Sequence, residues 1–465
     1  MPSRPEIIVR DDGEIEVVRS ATVLERGSWA LYDFANTIFS MNIITLFFPV
    51  WIATDLGAGT HGYALASSFC SLLIILTMPV FGTISDHRQR RKSWVIGLTL
   101  LCAVATLALG PIARSGAETG TVLRLALAAF VVANYAHQAA LPFYNAMLPE
   151  LIPARERGRL SGLGTAMGYI GSITGVLLIT PFFNNSLPGV GQLSDSTMAL
   201  LRRIPFSAEA DRVSTFVPTA LLSLAAALPL FFFCRDHLAL PREKWPTLSL
   251  TRPFREILDA LKDTRRHPGL LRFLITTYFY QDAIGTTISF MAIYTVAVMG
   301  FARGAEVKLF LILTIPSIFG AALIGWLSDR FGPKRTMLGV LLVWTATGLA
   351  ITLVRSQSWF WGLGAILGFI FGGVRTTERP LLLSLVPDVE AGRYFSLLVL
   401  SARAAAIAGP LIWALVVDVI FSDRPAEFSY RVAMGSLTLF MAVAAILLMR
   451  VPDRRRWTGP AAGQS

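Results

Sequence analysis

Asp33, Asp282, Arg375, Glu378, Arg379 and Arg403 are ionisable side chains set in stretches otherwise apolar enough to cross a bilayer. Each would cost about 2.5–3.5 kcal/mol at bilayer depth if it faced lipid. Such costs, repeated six times, argue that these groups face a protein-lined or wettable interior. There a carboxylate can take and release a proton, and a guanidinium can hold a carboxylate or phosphate. Arg375, Glu378 and Arg379 stand at i, i+3 and i+4 on one helical face, so Arg375 and Glu378 can pair while Arg379 is left for another partner. This cluster suits two uses, a gate that pairs when one side closes or a contact to a bound anion.

Asp33 belongs to a polar stripe of Tyr32, Asp33, Asn36, Thr37 and Ser40, and a second stripe, Tyr278, Gln281, Asp282, Gly285 and Ser289, echoes it beside Tyr280. Stripes of this kind line a cavity or tie one helix to another. Asn134, His137, Gln138, Tyr144 and Asn145 flank Pro142, a residue that kinks helices. His137 could carry a proton, or simply be hydrogen-bonded among amides. Gly162, Gly164, Gly168, Gly171 and Gly175 permit close approach of helices. Arg403 precedes Gly409-Pro410, which reads as a charged lining residue ahead of a kink.

The elements that must position these groups follow from composition. Of 465 residues, 54% are hydrophobic and 15% charged, against about 25% charged in soluble domains. Lipid is therefore the expected solvent. Twelve apolar spans are predicted at 29–53, 62–84, 93–113, 121–147, 159–183, 215–234, 269–298, 307–328, 336–354, 359–386, 394–420 and 430–450. The first is too long and too polar for a secretory signal, so a retained helix is expected. With the N-terminus in the cytoplasm, cytoplasmic segments hold 27 Lys and Arg and the opposite side 7, which places both termini in the cytoplasm. The net charge of +11 is spread in bursts between spans, which argues against a nucleic-acid partner. Cys70, Cys102 and Cys234 show no metal-type spacing, no histidine pair suggests a metal site, and no cofactor is expected.

The chain also repeats itself. Pro142 and Pro149 match Pro380 and Pro387 at 238 positions, and Gly82-Thr-Ile-Ser-Asp86 matches Gly325-Trp-Leu-Ser-Asp329 at 243. The expected organisation is an N-terminal segment (1–28), a six-helix bundle (29–234), a charged linker (235–268), a second six-helix bundle (269–450) and a tail (451–465). Phe254, Ile257, Leu258 and Leu261 give the linker one apolar face, suited to lying on the membrane surface or packing on a bundle.

Gly82, Asp86, Arg90 and Arg91 recur in kind as Gly325, Asp329, Arg330, Lys334 and Arg335. Both copies resemble the loop signature of the major facilitator superfamily. An all-α membrane protein with twelve transmembrane helices in two six-helix bundles is the fold this implies. Further strings resemble one branch of that superfamily, the vacuole-effluxer-like family typified by the fungal autophagy-related amino-acid effluxer. They are Trp29-Ala-Leu-Tyr-Asp-Phe-Ala-Asn36, Phe47-Phe-Pro-Val50, Phe143-Tyr-Asn-Ala-Met-Leu-Pro149, Ser161-Gly-Leu-Gly-x3-Gly-Tyr-Ile-Gly171 and Tyr280-x-Asp282. Where that family's tenth helix usually carries Gln and Ser, this chain has Arg375 and Glu378, a more charged lining.

The resemblance implies a secondary transporter, not an enzyme, that moves a small anionic or zwitterionic solute such as an amino acid by alternating access. A bacterial cytoplasmic membrane, a monomer and protons as coupling ion are the matching expectations. Tyr32, Asp33, Asn36, Gln138, Tyr280, Asp282, Arg375, Glu378, Arg379 and Arg403 are the candidate lining. No nucleotide-binding signature is present. Rival readings are an exporter or flippase of a lipid-like anion, a receptor that binds without transport, and a membrane enzyme.

Overall fold

The computed structural model describes residues 6–238 and 267–453, apart from 12, 59–60, 189, 268, 302–305 and 406–407. The linker face predicted at Phe254–Leu261 lies outside the described residues. Long helices dominate: α1 (Val23–Asp55), α2 (His61–Arg88), α3 (Arg91–Ala113), α4 (Thr119–Ala146), α5 (Arg157–Asn184) and α6 (Phe216–Phe233), then α7 (Leu270–Ala297), α8 (Glu306–Phe331), α9 (Pro333–Leu353), α10 (Gln357–Leu383), α11 (Ala391–Ala405, resuming at Ala408–Ala414) and α12 (Ala426–Met449). Ten of the described segments are long and apolar enough to cross a membrane. Helices are what lipid permits, because each satisfies its own backbone.

α1 starts earlier than the apolar run suggests. Thr22 Oγ1 accepts the Glu25 amide at 3.2 Å, half of a Thr-x-x-Glu capping box. Glu25 in turn accepts the Arg235 amide (2.9 Å) and lies 2.7 Å from His237 Nε2, tying the exit of α6 to the entry of α1. Two strands precede α1. β1 (Glu6–Val9) and β2 (Ile15–Arg19) form an antiparallel hairpin. Gly13, at φ +79°, supplies the left-handed turn conformation.

Contacts divide the described chain into two units, residues 21–147 with 167–238, and residues 6–20 with 148–166 and 267–453. In the first, α1 packs on α6, α2 on α4, α3 on α4 and α3 on α6. In the second, α7 packs on α12, α8 on α10, α9 on α10 and α9 on α12. The second pattern is the first with every number raised by six, the structural form of the sequence repeat. The division falls within α5, and glycines explain it. On its C-terminal part, a Cβ at Gly168 would lie 3.0 Å from Thr37 Oγ1 and one at Gly171 would strike the Phe34 carbonyl. On its N-terminal part, a Cβ at Gly158 would lie 2.6 Å from Asp329 Oδ1 and one at Gly162 would lie 3.2 Å from the Gly325 Cα. One glycine ridge therefore serves α1 at one end and α8 at the other.

Candidate functional site

In the first unit the expected lining residues gather around α1. Tyr32, Asn36 and His137 border a cavity of about 30 Å³ with Thr99 and Ser223. The Tyr32 hydroxyl and Thr99 Oγ1 are 2.7 Å apart. Asp33 is buried, and the Thr37 hydroxyl donates to its carbonyl at 2.6 Å. Gln138 Nε2 donates to Asn134 Oδ1 at 2.8 Å. Trp29 and Tyr144 stack at 4.6 Å and exchange hydrogen bonds, indole to Tyr144 carbonyl (3.1 Å) and phenol to Trp29 carbonyl (3.0 Å). That reciprocal pair joins α1 to α4 and gives two of the quoted sequence strings a common structural purpose.

The second unit carries the charged group. α10 turns Gly372 and Thr376 toward α8 and leaves Arg375 exposed, with Glu378 and Arg379 half-buried. Arg375, Glu378 and Arg379 follow one another within a single turn of α10. Gln281 Nε2 on α7 reaches Glu378 Oε2 at 3.5 Å. Tyr280, one residue earlier, is fully buried with its hydroxyl 3.2 Å from Thr277 Oγ1. Asp282 is buried too. Its Oδ1 accepts the Gly409 amide at 2.9 Å, and its enclosed Oδ2 has no hydrogen-bond partner among the described residues. Gly409 is required there, since a Cβ would sit 2.8 Å from Asp282 Oδ1. Arg403 lies half-buried on α11.

The two loop motifs do different work. Gly82 and Asp86 close α2; Arg90 is exposed, but Arg91 is fully enclosed, 3.4 Å from Asp86 and bonded to the Ala146 carbonyl at the end of α4. In the second copy Asp329 caps α5, Oδ1 accepting the Gly158 amide (2.7 Å) and Oδ2 the Arg159 amide (2.9 Å). Two carboxylate oxygens thus meet two of the free N–H groups at a helix start. Beside it, Gly325 lies against Gly158 and Gly162. Arg330 lies over the Trp326 ring at 5.4 Å, Lys334 donates to the Met449 carbonyl (3.0 Å) and Arg335 to Asp453 (2.9 Å).

Sequence reasoning missed the most buried ion pair among the described residues. Arg157 Nη1 and Nη2 meet Asp388 Oδ1 and Oδ2 at 2.9 and 2.7 Å, with both side chains about 3% exposed or less. Asp388 Oδ2 also accepts the Ile15 amide at 3.1 Å, and the Val389 amide donates to the Gly13 carbonyl at 3.2 Å. The hairpin is thereby fastened to the loop after α10, while β2 also packs on the short helix Leu148–Leu151. Ser161 Oγ closes the set on the Thr376 carbonyl at 2.8 Å. The signal was present: Glu150 and Asp388 follow the paired prolines at the same 238-residue offset.

Burial raises the Asp329 carboxyl, just beyond the apolar span 307–328, from 3.8 to about 6, partly opposed by the Arg159 and Gly158 amides and by the Arg159 charge. The folded form then holds this proton more tightly than the unfolded chain. Its stabilising contribution is full below about pH 4 and is lost as pH rises through about 6. Asp329→Asn removes that dependence. The melting temperature of the wild type relative to this variant is expected to fall between pH 4 and 6 and to level off above 7, measured by thermal unfolding in detergent.

These features define a polytopic transporter with the major-facilitator fold. Across 92% of this chain and 99% of the other, it superposes on a bacterial homologue of the iron transporter ferroportin in an outward-facing state, with TM-score 0.67 and 14% identity. The Escherichia coli fucose:proton symporter matches over 92% and 98% of the two chains, with TM-score 0.65 and 16% identity. An uncharacterized MFS-type transporter of Bacillus subtilis, YxiO, is 23% identical over 438 residues, covering 92% of this chain and 95% of that one. The model of the vacuole effluxer Atg22-like family matches residues 60–458, and the chain belongs to that family.

Proposed function

We propose that the protein is a secondary transporter for a small zwitterionic or anionic solute, an amino acid being the first candidate, and that Asp282 is its coupling carboxylate. The observation that carries this reading is the enclosed Asp282 Oδ2, which lacks a donor among the described residues. A buried carboxylate oxygen without a donor is costly. A proton, or the ammonium of a substrate, supplies what is missing. On the same unit Arg375 and Arg379 offer guanidinium groups suited to a carboxylate. Support also comes from the family of effluxers to which the chain belongs and from the proton-linked transport named for one structural neighbour.

In this reading the α5 clamp, made by Asp329, Asp388 and Thr376, is the closed form of the cytoplasmic gate, and both termini are cytoplasmic. Opening that side requires Arg157 and Ser161 to leave their partners. A thermal-shift screen against amino acids, peptides, sugars, organic acids and phosphates identifies the substrate, and proteoliposomes then test coupling. Asp282→Asn is expected to abolish accumulation driven by a proton gradient while retaining substrate exchange without a gradient. Unchanged accumulation in both Asp282→Asn and Asp33→Asn would remove the proton role.

A further inference from the structure

We propose that α8, α9 and α10 form a binding site for an anionic two-chain phospholipid of the cytoplasmic leaflet. A groove of about 760 Å³ runs between these helices, walled by Pro316, Leu327, Phe331, Val343, Ile366 and Phe369. Along α8 it extends from Pro316 to Phe331, about 22 Å at 1.5 Å per residue. That exceeds half of a hydrocarbon core about 30 Å thick, so an acyl chain lies in it at full length.

Apolar walls alone select nothing in a bilayer, because the surrounding tails are as apolar as the groove. Selection comes from its rim. Arg335 lines the groove at the end where α8 passes into α9, with a side chain 64% exposed; Lys334 precedes it in the first turn of α9, and Arg330 lies in the last turn of α8. Two acidic groups lie near. Asp453 takes one edge of the Arg335 guanidinium through Nε, and Asp329 is turned to the Gly158 and Arg159 amides. Among the described residues, three cations against these two committed carboxylates leave this end of the groove positive. Basic pockets between transmembrane helices on the cytoplasmic side suit anionic headgroups, and a guanidinium matches the geometry of a phosphodiester.

Gly339 gives a clean test. It lines the groove, and a Cβ there would meet nothing within 4 Å. Gly339→Phe therefore fills the groove without displacing a neighbour. Full-length protein is exchanged into nanodiscs or micelles with graded phosphatidylglycerol or phosphatidylcholine, and retained lipid is counted by native mass spectrometry. Wild type is expected to retain one phosphatidylglycerol at least fivefold more tightly than phosphatidylcholine. Gly339→Phe should lose that retention at least fivefold with its lipid-free melting temperature unchanged, while Gly97→Phe, an equally open glycine on α3, should keep it. The Lys334→Gln/Arg335→Gln variant should hold both lipids equally. Equal retention of the two lipids by wild type, or full phosphatidylglycerol retention by Gly339→Phe, overturns the proposal.

Discussion

Arg157→Met is expected to destabilise the folded protein by about 3–5 kcal/mol, because it leaves the Asp388 carboxylate buried without its countercharge. The pair is bidentate, at 2.9 and 2.7 Å, and both side chains are almost wholly enclosed. Asp388→Leu strands the guanidinium and also strips the Ile15 amide of its acceptor, so it should cost at least as much. Changing both residues together should recover most of the loss, since replacing a whole buried pair by apolar side chains is often near neutral. Thermal unfolding in detergent measures all three. If the single and double variants melt alike, the pair is not what holds this region. A second readout follows from the proposed gate. Ser161, fully buried and bonded to the Thr376 carbonyl, becomes a cysteine in a reporter variant. Its labelling by a membrane-permeant thiol reagent should accelerate when Arg157 is also replaced.

Gly320→Val should be the most damaging single change in the helix contacts, about 3 kcal/mol, at the upper end of the usual cost of overpacking. α8 and α10 touch through backbone. A Cβ at Gly320 would fall within the Phe369 carbonyl, one at Gly368 would strike the Leu313 carbonyl, and one at Gly372 the Ser317 carbonyl. The Ser317 hydroxyl donates to the Gly368 carbonyl at 2.6 Å, which requires that closeness. No side chain rotation can relieve a clash with backbone, so the helices must part and every contact between them weakens together. Gly362→Val on the same α10 meets nothing within 4 Å and should be nearly neutral. Comparable unfolding midpoints for the two valine variants would show that the close approach is not needed.

The helical spans were legible because lipid imposes one rule on every spanning segment, and that rule shows in composition. Their ends were less so. α1 begins at Val23, not Trp29, because its first turns leave the apolar run and are fixed by Thr22 and Glu25. The hairpin was hidden by the mixed polarity of residues 1–26, although Ile15 and Val17 are buried and Val18 exposed, a two-residue alternation. Glycines on α5 announced a close approach. They did not announce that the ridge changes partner between Gly162 and Gly168, which depends on where α1 and α8 lie in space. The basic run Arg90-Arg91 looks like a pair of loop charges in sequence, yet Arg91 is enclosed against the end of α4. Composition could rank the ionisable groups by cost; geometry was needed to find that Asp282 holds an enclosed carboxylate oxygen without a donor among the described residues.

The fastening of Ile15 to Asp388 joins residues 373 positions apart. At 5–20 residues per second, roughly 20–75 s of translation separate them. Throughout that interval the Ile15 amide of the hairpin lacks its Asp388 acceptor, while the chain of ten helices is made. Protection of residues 6–19 from a protease therefore times the insertion of α10 and the chain that follows it, and a hairpin that stays cleavable marks a molecule halted before that stage.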